Sequence, residues 1–286
     1  MTSITHAIAR ILSIVAALLV SGCAGQPPIT ATYGTGDRSF VLAAGGMQDL
    51  VRALSKEFAR SKSATVQLAM VENEKSLDLL KAGRVDAVLV HAPTREKKAV
   101  EEGWAVDRTL IGAHRFLIVG PPEDPAQIRD AFCSLDAFRR IHRTQAVFLS
   151  PGDQSETHTK EINTWERARV RPWGGWYITN SEPTTASLNR ADEMGGYILT
   201  NSAAWAVRAK NLERLSVLFQ ASDDLIDNYH ILLAPPGKTT SHDTVAEFAA
   251  FVASKQGQRI VRDFGKERLG VPLYLDAAAA RRYVEQ

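Results

Sequence analysis

Hydrophobic and polar positions follow two alternating periods along most of this chain. Short apolar runs predict β-strands at 39–43, 65–71, 85–90, 115–119, 147–149, 197–199, 215–219 and 230–233. Apolar residues at intervals of three and four predict helices at 47–58, 74–82, 94–102, 125–142, 157–168, 184–194 and 203–210. Strands that alternate with helices are typical of α/β layers, and we expect mostly parallel sheets flanked by helices.

The first 22 residues have the pattern of an export signal. Arg10 precedes an apolar run at residues 11–20, and no acidic residue comes before it. This run is too short to span a bilayer as a mature helix, but it matches the apolar region of a signal peptide. Residues 19–23 resemble the lipobox of bacterial lipoproteins, which predicts Cys23 as the first mature residue and the site of lipid attachment. An ordinary secretory signal with a chance cysteine is the alternative.

The segment after the predicted cleavage differs in composition from the rest of the chain. Residues 23–36 are small, uncharged and rich in Pro and Gly, which predicts a flexible tether between the lipid and the folded body. Residues 37–286 are enough for one large domain or two smaller ones. The formal charge of +2 provides no electrostatic footprint for nucleic acid. With Cys23 committed to lipid, Cys133 has no cysteine partner, so we expect no internal disulfide.

A segment of small polar residues, 150–158, joins a predicted strand to a predicted helix. The free backbone N–H groups of such a helix start, together with the helix dipole, favour an anion. Simple capping of the helix by Ser155 or Thr157 is the alternative, and the segment by itself favours capping.

Several sequence blocks follow one another in a specific order. They are 86–93, 102–108, 116–121, 124–125, 150–158, 176–177, 196–200, 227–229, 256–258, 263–265 and 270–274. With these blocks the chain resembles the tungstate-type branch of the substrate-binding proteins of ABC importers, from about residue 39 to residue 274. The resemblance implies a two-lobed periplasmic binding protein, type II-like, with a ligand cleft between two α/β lobes.

The same resemblance implies a division into lobes and a set of ligand-binding positions. Residues 37–116 and 229–286 would form lobe 1 and residues 117–228 lobe 2, with the chain crossing between them near 115–119 and 228–233. The ligand-binding positions that it implies are Ala44, Gly45, Ser150, Gly152, Asp153, Ser155, Thr157, Thr184 and Asn201.

The presumed site departs from the family pattern at several positions. Two alanines and two glycines at 43–46 replace a turn rich in Thr and Ser, and Pro151 stands at an arginine position. Glu156 stands at a glycine position, and Thr-Asn-Ser at 200–202 replaces Thr-Asp-Arg. A hydrogen bond to a charged group contributes about 1.5–3 kcal/mol net, and about 1.4 kcal/mol is tenfold in affinity. We therefore do not expect tight binding of tungstate or molybdate.

Two carboxylates, Glu156 and Glu182, stand near the expected cleft. They would either meet a cationic or zwitterionic solute or, as is commoner for Glu at a helix start, point into solvent. His91, His114 and His158 lack acidic or Cys partners at ligand spacing, so we expect core or hydrogen-bonding histidines and neither a metal nor another cofactor. Signatures of nucleophilic, phosphate-binding and zinc-peptidase sites are absent from the sequence, which predicts that the protein is not an enzyme.

Two functions remain open at this stage. The first is a lipid-anchored receptor in the bacterial cell envelope, which faces the periplasm or the exterior. It would work as a monomer, bind a small polar or anionic solute in the cleft and deliver it to an ABC permease. The second is an envelope lipoprotein that uses the binding-protein scaffold for protein–protein contact, with the solute site decayed. The export signal and the extent of the resemblance favour the receptor.

Overall fold

A computed structural model describes residues 26–181, 183–220 and 223–283. The strands are β1 (Ala31–Tyr33), β2 (Arg38–Ala44), β3 (Ala64–Met70), β4 (Ala87–Val90), β5 (Val106–Gly120), β6 (Phe148–Ser150), β7 (Tyr177–Thr179), β8 (Ile198–Asn201), β9 (Ser216–Phe219), β10 (Ile226–Leu233) and β11 (Tyr274–Asp276). The α-helices are α1 (Gln48–Lys62), α2 (Asn73–Lys81), α3 (Pro93–Glu101), α4 (Ser134–Thr144), α5 (Glu156–Arg167), α6 (Thr184–Met194), α7 (Ser202–Arg208), α8 (His242–Ala253), α9 (Lys255–Asp263), α10 (Lys266–Leu269) and α11 (Ala277–Ala280). The predicted signal peptide, Cys23 and Glu182 lie outside the described residues. Within these residues, no helix has the length and apolar character needed to cross a membrane.

Lobe 1 is built on a mixed sheet in the order β1-β3-β2-β4-β10-β5-β11. β2 runs parallel to both β3 and β4, whereas β1, β10 and β11 are antiparallel to their neighbours. On one face of the sheet, Phe40, Phe58 and Phe248 pack ring against ring and bury α1 and α8. On the other face, apolar residues of α2 and α3 cover β4. The sheet is therefore covered on both faces, as expected for an α/β layer.

Lobe 2 uses the second half of β5. This half is antiparallel to β8 and β9, while β6 is parallel to β7 and reaches the β8 segment through a bridge between Phe148 and Tyr197. Trp165 of α5 and Phe138 of α4 lie in the core on one face. Leu188 of α6 lies in a second apolar cluster with the strand residues of the other face. Each lobe thus has its own hydrophobic core.

Two antiparallel strands, β5 and β10, connect the lobes. On β5, Arg115 pairs with β10 in the lobe 1 part of the sheet, and Phe116 already pairs with β8 in lobe 2. β10 begins at Ile226, opposite Arg115. Asp227 and Asn228 pair with His114 and Ala113 of β5. The lobe boundary at residue 228 that the resemblance implies stays a prediction. Because the side chains of Asp227 and Asn228 are polar, the apolar run predicted a strand only at 230–233, whereas β10 begins at Ile226.

The structure confirms α/β layers but corrects the expectation of mostly parallel sheets. Parallel pairing is found for β3-β2-β4 and for β6-β7, where a helix or a long connection separates the strands along the chain. The strands that join the lobes are antiparallel to their neighbours because each carries the chain from one lobe into the other.

The long helix predicted at 125–142 is wrong in its first half. Asp124 accepts hydrogen bonds from the backbone N–H groups of Ile128 and Arg129, at 3.0 and 2.9 Å, and closes a short 3-10 turn. Cys133 is extended, and α4 begins only at Ser134. An Asp side chain that bonds to nearby backbone offers the chain an alternative to a helix.

The structure also corrects the predicted tether, 23–36, at its C-terminal end. Ala31–Tyr33 form β1, an antiparallel edge strand on β3, and the N–H of Thr30 donates to the carbonyl of Leu68 at 2.7 Å. A side chain at Gly34 would overlap the backbone of Ala64. The small residues that suggested flexibility instead let the chain lie close against the sheet.

Candidate functional site

The helix starts of the two lobes approach each other where the strands end. β2 and β4 lead into α1 and α3 in lobe 1, and β6 and β8 lead into α5 and α7 in lobe 2. In α/β folds, ligands bind outside the carboxyl ends of the strands. The lobes touch here through the first turn of α7, where the hydroxyl of Ser202 donates to the carbonyl of Leu273 at 2.7 Å. They also touch through the first turns of α5.

Six polar side chains form the contact between α5 and lobe 1, which we call the interlobe cluster. They are His91, His114, Glu156, Lys160, Asp227 and Tyr229. Glu156 and Lys160 lie four residues apart on one face of α5. Asp227 and Tyr229 lie two residues apart on one face of β10. These two spacings let Glu156 contact Tyr229 while Lys160 contacts Asp227.

Lys160 and Asp227 form the ion pair of the interlobe cluster. Their charged atoms, Nζ and Oδ1, are 2.6 Å apart, and Asp227 is 4% exposed. The Lys160 ammonium also lies 5.4 Å from the centre of the Phe116 ring. His91 approaches the same carboxylate, with Nε2 3.2 Å from Oδ1, while its Nδ1 lies 2.9 Å from the carbonyl oxygen of Asn228. The one carboxylate of Asp227 therefore links α5 to the end of β4.

Glu156 forms the second contact of the interlobe cluster. Its Oε1 accepts a hydrogen bond from the Tyr229 hydroxyl, and its Oε2 lies 3.5 Å from Nδ1 of His114. Burial opposes ionisation, but the contacts with His114 and Tyr229 outweigh it, and the pKa of Glu156 is lowered. Burial and the neighbouring carboxylate raise the pKa of Tyr229 well above its usual value, so its hydroxyl stays a donor.

The structure corrects the expectation that Glu156 points into solvent. Its side chain is only 27% exposed, and it is directed at the two strands that join the lobes. An exposed Glu at a helix start is favoured by the dipole alone. Here the helix start is pressed against lobe 1, so the carboxylate finds donors there instead of water.

The predicted ligand positions of lobe 1 lie at the end of β2. Ala44 is 2% exposed, and the N–H of Gly45 donates to the carbonyl of Leu89 at 3.1 Å. A side chain at Gly45 would overlap Asn73, and one at Gly46 would overlap the hydroxyl of Tyr229. The glycines therefore allow Asn73 and Tyr229 to cover this turn.

The segment 150–158 of lobe 2 is held by local hydrogen bonds. Ser155 is the N-cap of α5 and accepts from the N–H of His158 at 3.3 Å, while Asp153 accepts from the N–H of Ser155 at 3.0 Å. Gly152 has a positive φ of 60°, and a side chain there would overlap Thr179. Ser155 therefore caps α5, as the capping alternative proposed.

The remaining predicted positions fall into three environments. Asn201 caps α7 through the N–H of Ala204 and donates to the hydroxyl of Thr157 at 3.1 Å, which ties the starts of α5 and α7 together. Thr184 is half-buried at the start of α6. Ser150 is fully buried beneath the segment, and Thr157 is nearly so. A role in ligand binding stays a prediction for all nine positions.

The sequence reasoning missed Lys160, Asp227 and Tyr229 as partners of Glu156. The block 227–229 was singled out, but only as part of the resemblance. The signal that was available is the spacing, four residues on a helix and two on a strand. His91 and His158 make hydrogen bonds, and His114 lies against Glu156. Among the described residues no group of three or more His, Cys, Asp or Glu is arranged to hold a metal ion.

A fully buried carboxylate, Glu161, lies five residues after Glu156 on α5. It is 0% exposed, and its Oε1 accepts from Trp165 Nε1 at 3.0 Å and from the Tyr177 hydroxyl at 2.8 Å. Burial raises the pKa of Glu161 to about 7, although the hydrogen bonds from Tyr177 and Trp165 oppose this. The carboxyl group of Glu161 therefore changes from protonated to ionised near neutral pH, inside the core of lobe 2.

Replacement of Glu161 by Gln is expected to change how stability depends on pH. Since the folded pKa of about 7 lies above the ordinary 4.5, the wild-type carboxyl should destabilise the fold increasingly as the pH rises from about 4.5 to about 7. Over this pH range the free energy of unfolding of Glu161→Gln should increase relative to that of wild type, by at most about 1.4 kcal/mol per pH unit. Denaturant unfolding at a series of pH values measures this, and parallel curves would contradict it.

Two α/β lobes joined by two antiparallel strands, with helix starts facing each other at the junction, define a two-lobed binding protein. Residues 30–256 match the family described as the PBP superfamily domain, and the chain belongs to this family. It is 26% identical to the tungstate-binding protein TupA of Peptoclostridium acidaminophilum, over 94% of this chain and 99% of the relative.

Solved structures show the same similarity. The tungstate-binding protein TupA from Desulfovibrio alaskensis G20 has a TM-score of 0.72 and 26% identity, and the match covers 83% of this chain and 98% of that one. The tungstate ABC transporter structure from Geobacter sulfurreducens has a TM-score of 0.63 and 29% identity, with 80% and 100% covered. These matches confirm the resemblance and the two-lobed fold. They also support the prediction of a protein that is not an enzyme, since the relatives are named for binding and transport.

Proposed function

We propose that this protein is an extracytoplasmic solute-binding protein of an ABC importer, and that it binds a small polar or anionic solute between its lobes. The observation that carries the proposal is the convergence of helix starts from both lobes at the junction formed by β5 and β10. Helix starts favour negative charge. The named relatives bind tungstate or belong to a tungstate transporter, which makes oxyanions the first solutes to test.

The two separate cores support a motion of one lobe against the other. Lobe 1 and lobe 2 each bury their own aromatic residues, and the covalent links between them are two neighbouring strands. Domain closure about a few strand residues is the usual response of such a protein to its ligand.

The proposed lipid anchor at Cys23 would hold lobe 1 close to the membrane. Because Pro27 is already buried and Thr30 bonds to β3, the tether would be shorter than the predicted segment 23–36. A short tether of this kind would keep the receptor within reach of a membrane-bound permease.

A thermal-shift screen tests the proposed function. Tungstate, molybdate, sulfate and phosphate would be compared with amino acids and small organic acids, with sodium chloride at equal ionic strength as the control. A solute at about 100 times its Kd should stabilise the protein by about 2.7 kcal/mol, because it binds the folded state alone. If no solute raises the melting temperature, the proposal fails and the alternative, a scaffold for protein–protein contact, is favoured.

A further inference from the structure

The carboxylate of Glu156 reaches from lobe 2 to both strands that connect the lobes. It accepts from Tyr229 on β10 and lies against His114 on β5. Tyr229 is 0% exposed and His114 is 6% exposed, so both partners lie inside the junction. Tyr229 also covers Gly46 in the turn before α1, so the carboxylate lies beside the start of a lobe 1 helix.

The other donors around Glu156 are also engaged within the chain. Lys160 pairs with Asp227, and His91 lies between the carboxylate of Asp227 and the carbonyl of Asn228. The side-chain amide of Asn201 donates to the hydroxyl of Thr157. A solute anion that entered the junction would find these donors already bonded to oxygen atoms of the protein.

We infer that Glu156 is a specificity-determining residue of the interlobe site, because its carboxylate occupies the place of an anionic solute between the lobes. This inference rests on the proposed function. An oxyanion binds only when it displaces Glu156 from Tyr229 and His114. In the absence of solute, the same contacts hold the lobes together.

The size of the effect follows from the charge-assisted hydrogen bond that Glu156 accepts from Tyr229. Such a bond contributes about 1.5–3 kcal/mol, which corresponds to about tenfold to a hundredfold in affinity. A carboxylate that remains nearby would also repel a dianion. Removal of the carboxylate should therefore increase the affinity for an oxyanion by at least about tenfold.

Calorimetric titration with sodium tungstate tests this inference. The proteins compared are wild type, Glu156→Ala, Glu156→Gln and the control Glu166→Ala, whose carboxylate is exposed on the same helix. Glu156→Ala should bind tungstate at least about tenfold more tightly than wild type. Glu166→Ala should match wild type. Glu156→Gln, which keeps the size of the side chain but loses its charge, should lie between them.

Small-angle scattering tests the second consequence without relying on solute. Solute-free Glu156→Ala should have a larger radius of gyration than wild type and Glu166→Ala, and tungstate should return it to the wild-type value. Melting curves confirm that each variant is folded. If Glu156→Ala fails to fold, Glu156→Gln carries both measurements, since it keeps the shape of the side chain.

The outcomes separate the inference from the proposed function. If tungstate binds wild type as tightly as both Glu156 variants, the assignment of Glu156 is overturned while the receptor function stands. If tungstate binds none of the proteins, the assignment is also overturned. The thermal-shift screen then decides whether the receptor function survives with another solute.

Discussion

Replacement of Trp165 by alanine should lower the free energy of unfolding by about 3–5 kcal/mol, which is the usual cost of removing a buried aromatic side chain. Trp165 is 2% exposed, and its ring centre lies 4.4 Å from that of Phe138 and 5.2 Å from that of Phe148. Its Nε1 also donates to Glu161, so the variant loses a hydrogen bond in the same core. Chemical denaturation followed by circular dichroism measures the change.

Trp173→Ala is the matched control for Trp165→Ala. Trp173 is 73% exposed, so its removal should change stability by less than about 0.5 kcal/mol. Because the cores of the lobes are separate, hydrogen exchange in Trp165→Ala should accelerate mainly in lobe 2. A loss below about 1 kcal/mol would contradict the predicted cost of removing Trp165. Equal acceleration in both lobes would show that the cores are not independent.

Replacement of Glu96 by alanine should destabilise the protein by about 3 kcal/mol, because it leaves Arg108 and His230 without the buried carboxylate that they contact. Glu96 is 0% exposed, and its Oε2 lies 2.8 Å from Arg108 Nη2 and 3.0 Å from His230 Nδ1. Its Oε1 accepts from the N–H of Ala92 at 2.7 Å, which stabilises the start of α3. Arg108 is on β5 and His230 on β10, so Glu96 fastens α3 to both strands that connect the lobes.

The pH dependence of the Glu96→Ala effect provides an independent check. Burial alone would raise the pKa of Glu96, but His230, the Ala92 N–H and Arg108 lower it below the ordinary 4.5. The stability that this carboxylate contributes is therefore present above about pH 4.5 and is lost as the pH falls through the folded-state pKa. Glu101→Ala, which removes an exposed carboxylate of the same helix, should cost less than about 0.5 kcal/mol both above pH 4.5 and below it.

The two carboxylates Glu96 and Glu156 contact the same pair of strands from opposite lobes. Glu96 holds a helix of lobe 1 to them, and Glu156 brings a helix of lobe 2 against them. Loss of Glu96 should therefore appear as lost stability. Loss of Glu156 should appear as altered affinity and lobe separation, so the two classes of experiment distinguish a structural carboxylate from a specificity-determining one.

Much of the fold could be predicted because local patterns determine it. The helix predicted at 184–194 is α6 as found, and the predicted strands at 39–43 and 215–219 are β2 and β9 within one residue at each end. The failures have local causes as well. Asp124 turns the chain where apolar spacing suggested a helix, and β1 has no apolar period of its own because it is held by hydrogen bonds to β3.

The sequence by itself determined the order of most strands and helices, the family resemblance and the presence of a carboxylate at position 156. Only the tertiary structure decided what that carboxylate does. Glu156 and Tyr229 are 73 residues apart along the chain, and Lys160 and Asp227 are 67 apart. The contacts between them depend on how two separately folded lobes meet across β5 and β10. The periodicity of a single helix or strand carries no information about contacts between residues so far apart. The helix dipole therefore predicted a solvent-exposed carboxylate at Glu156, whereas the assembled lobes place it against the hydroxyl of Tyr229 and the imidazole of His114.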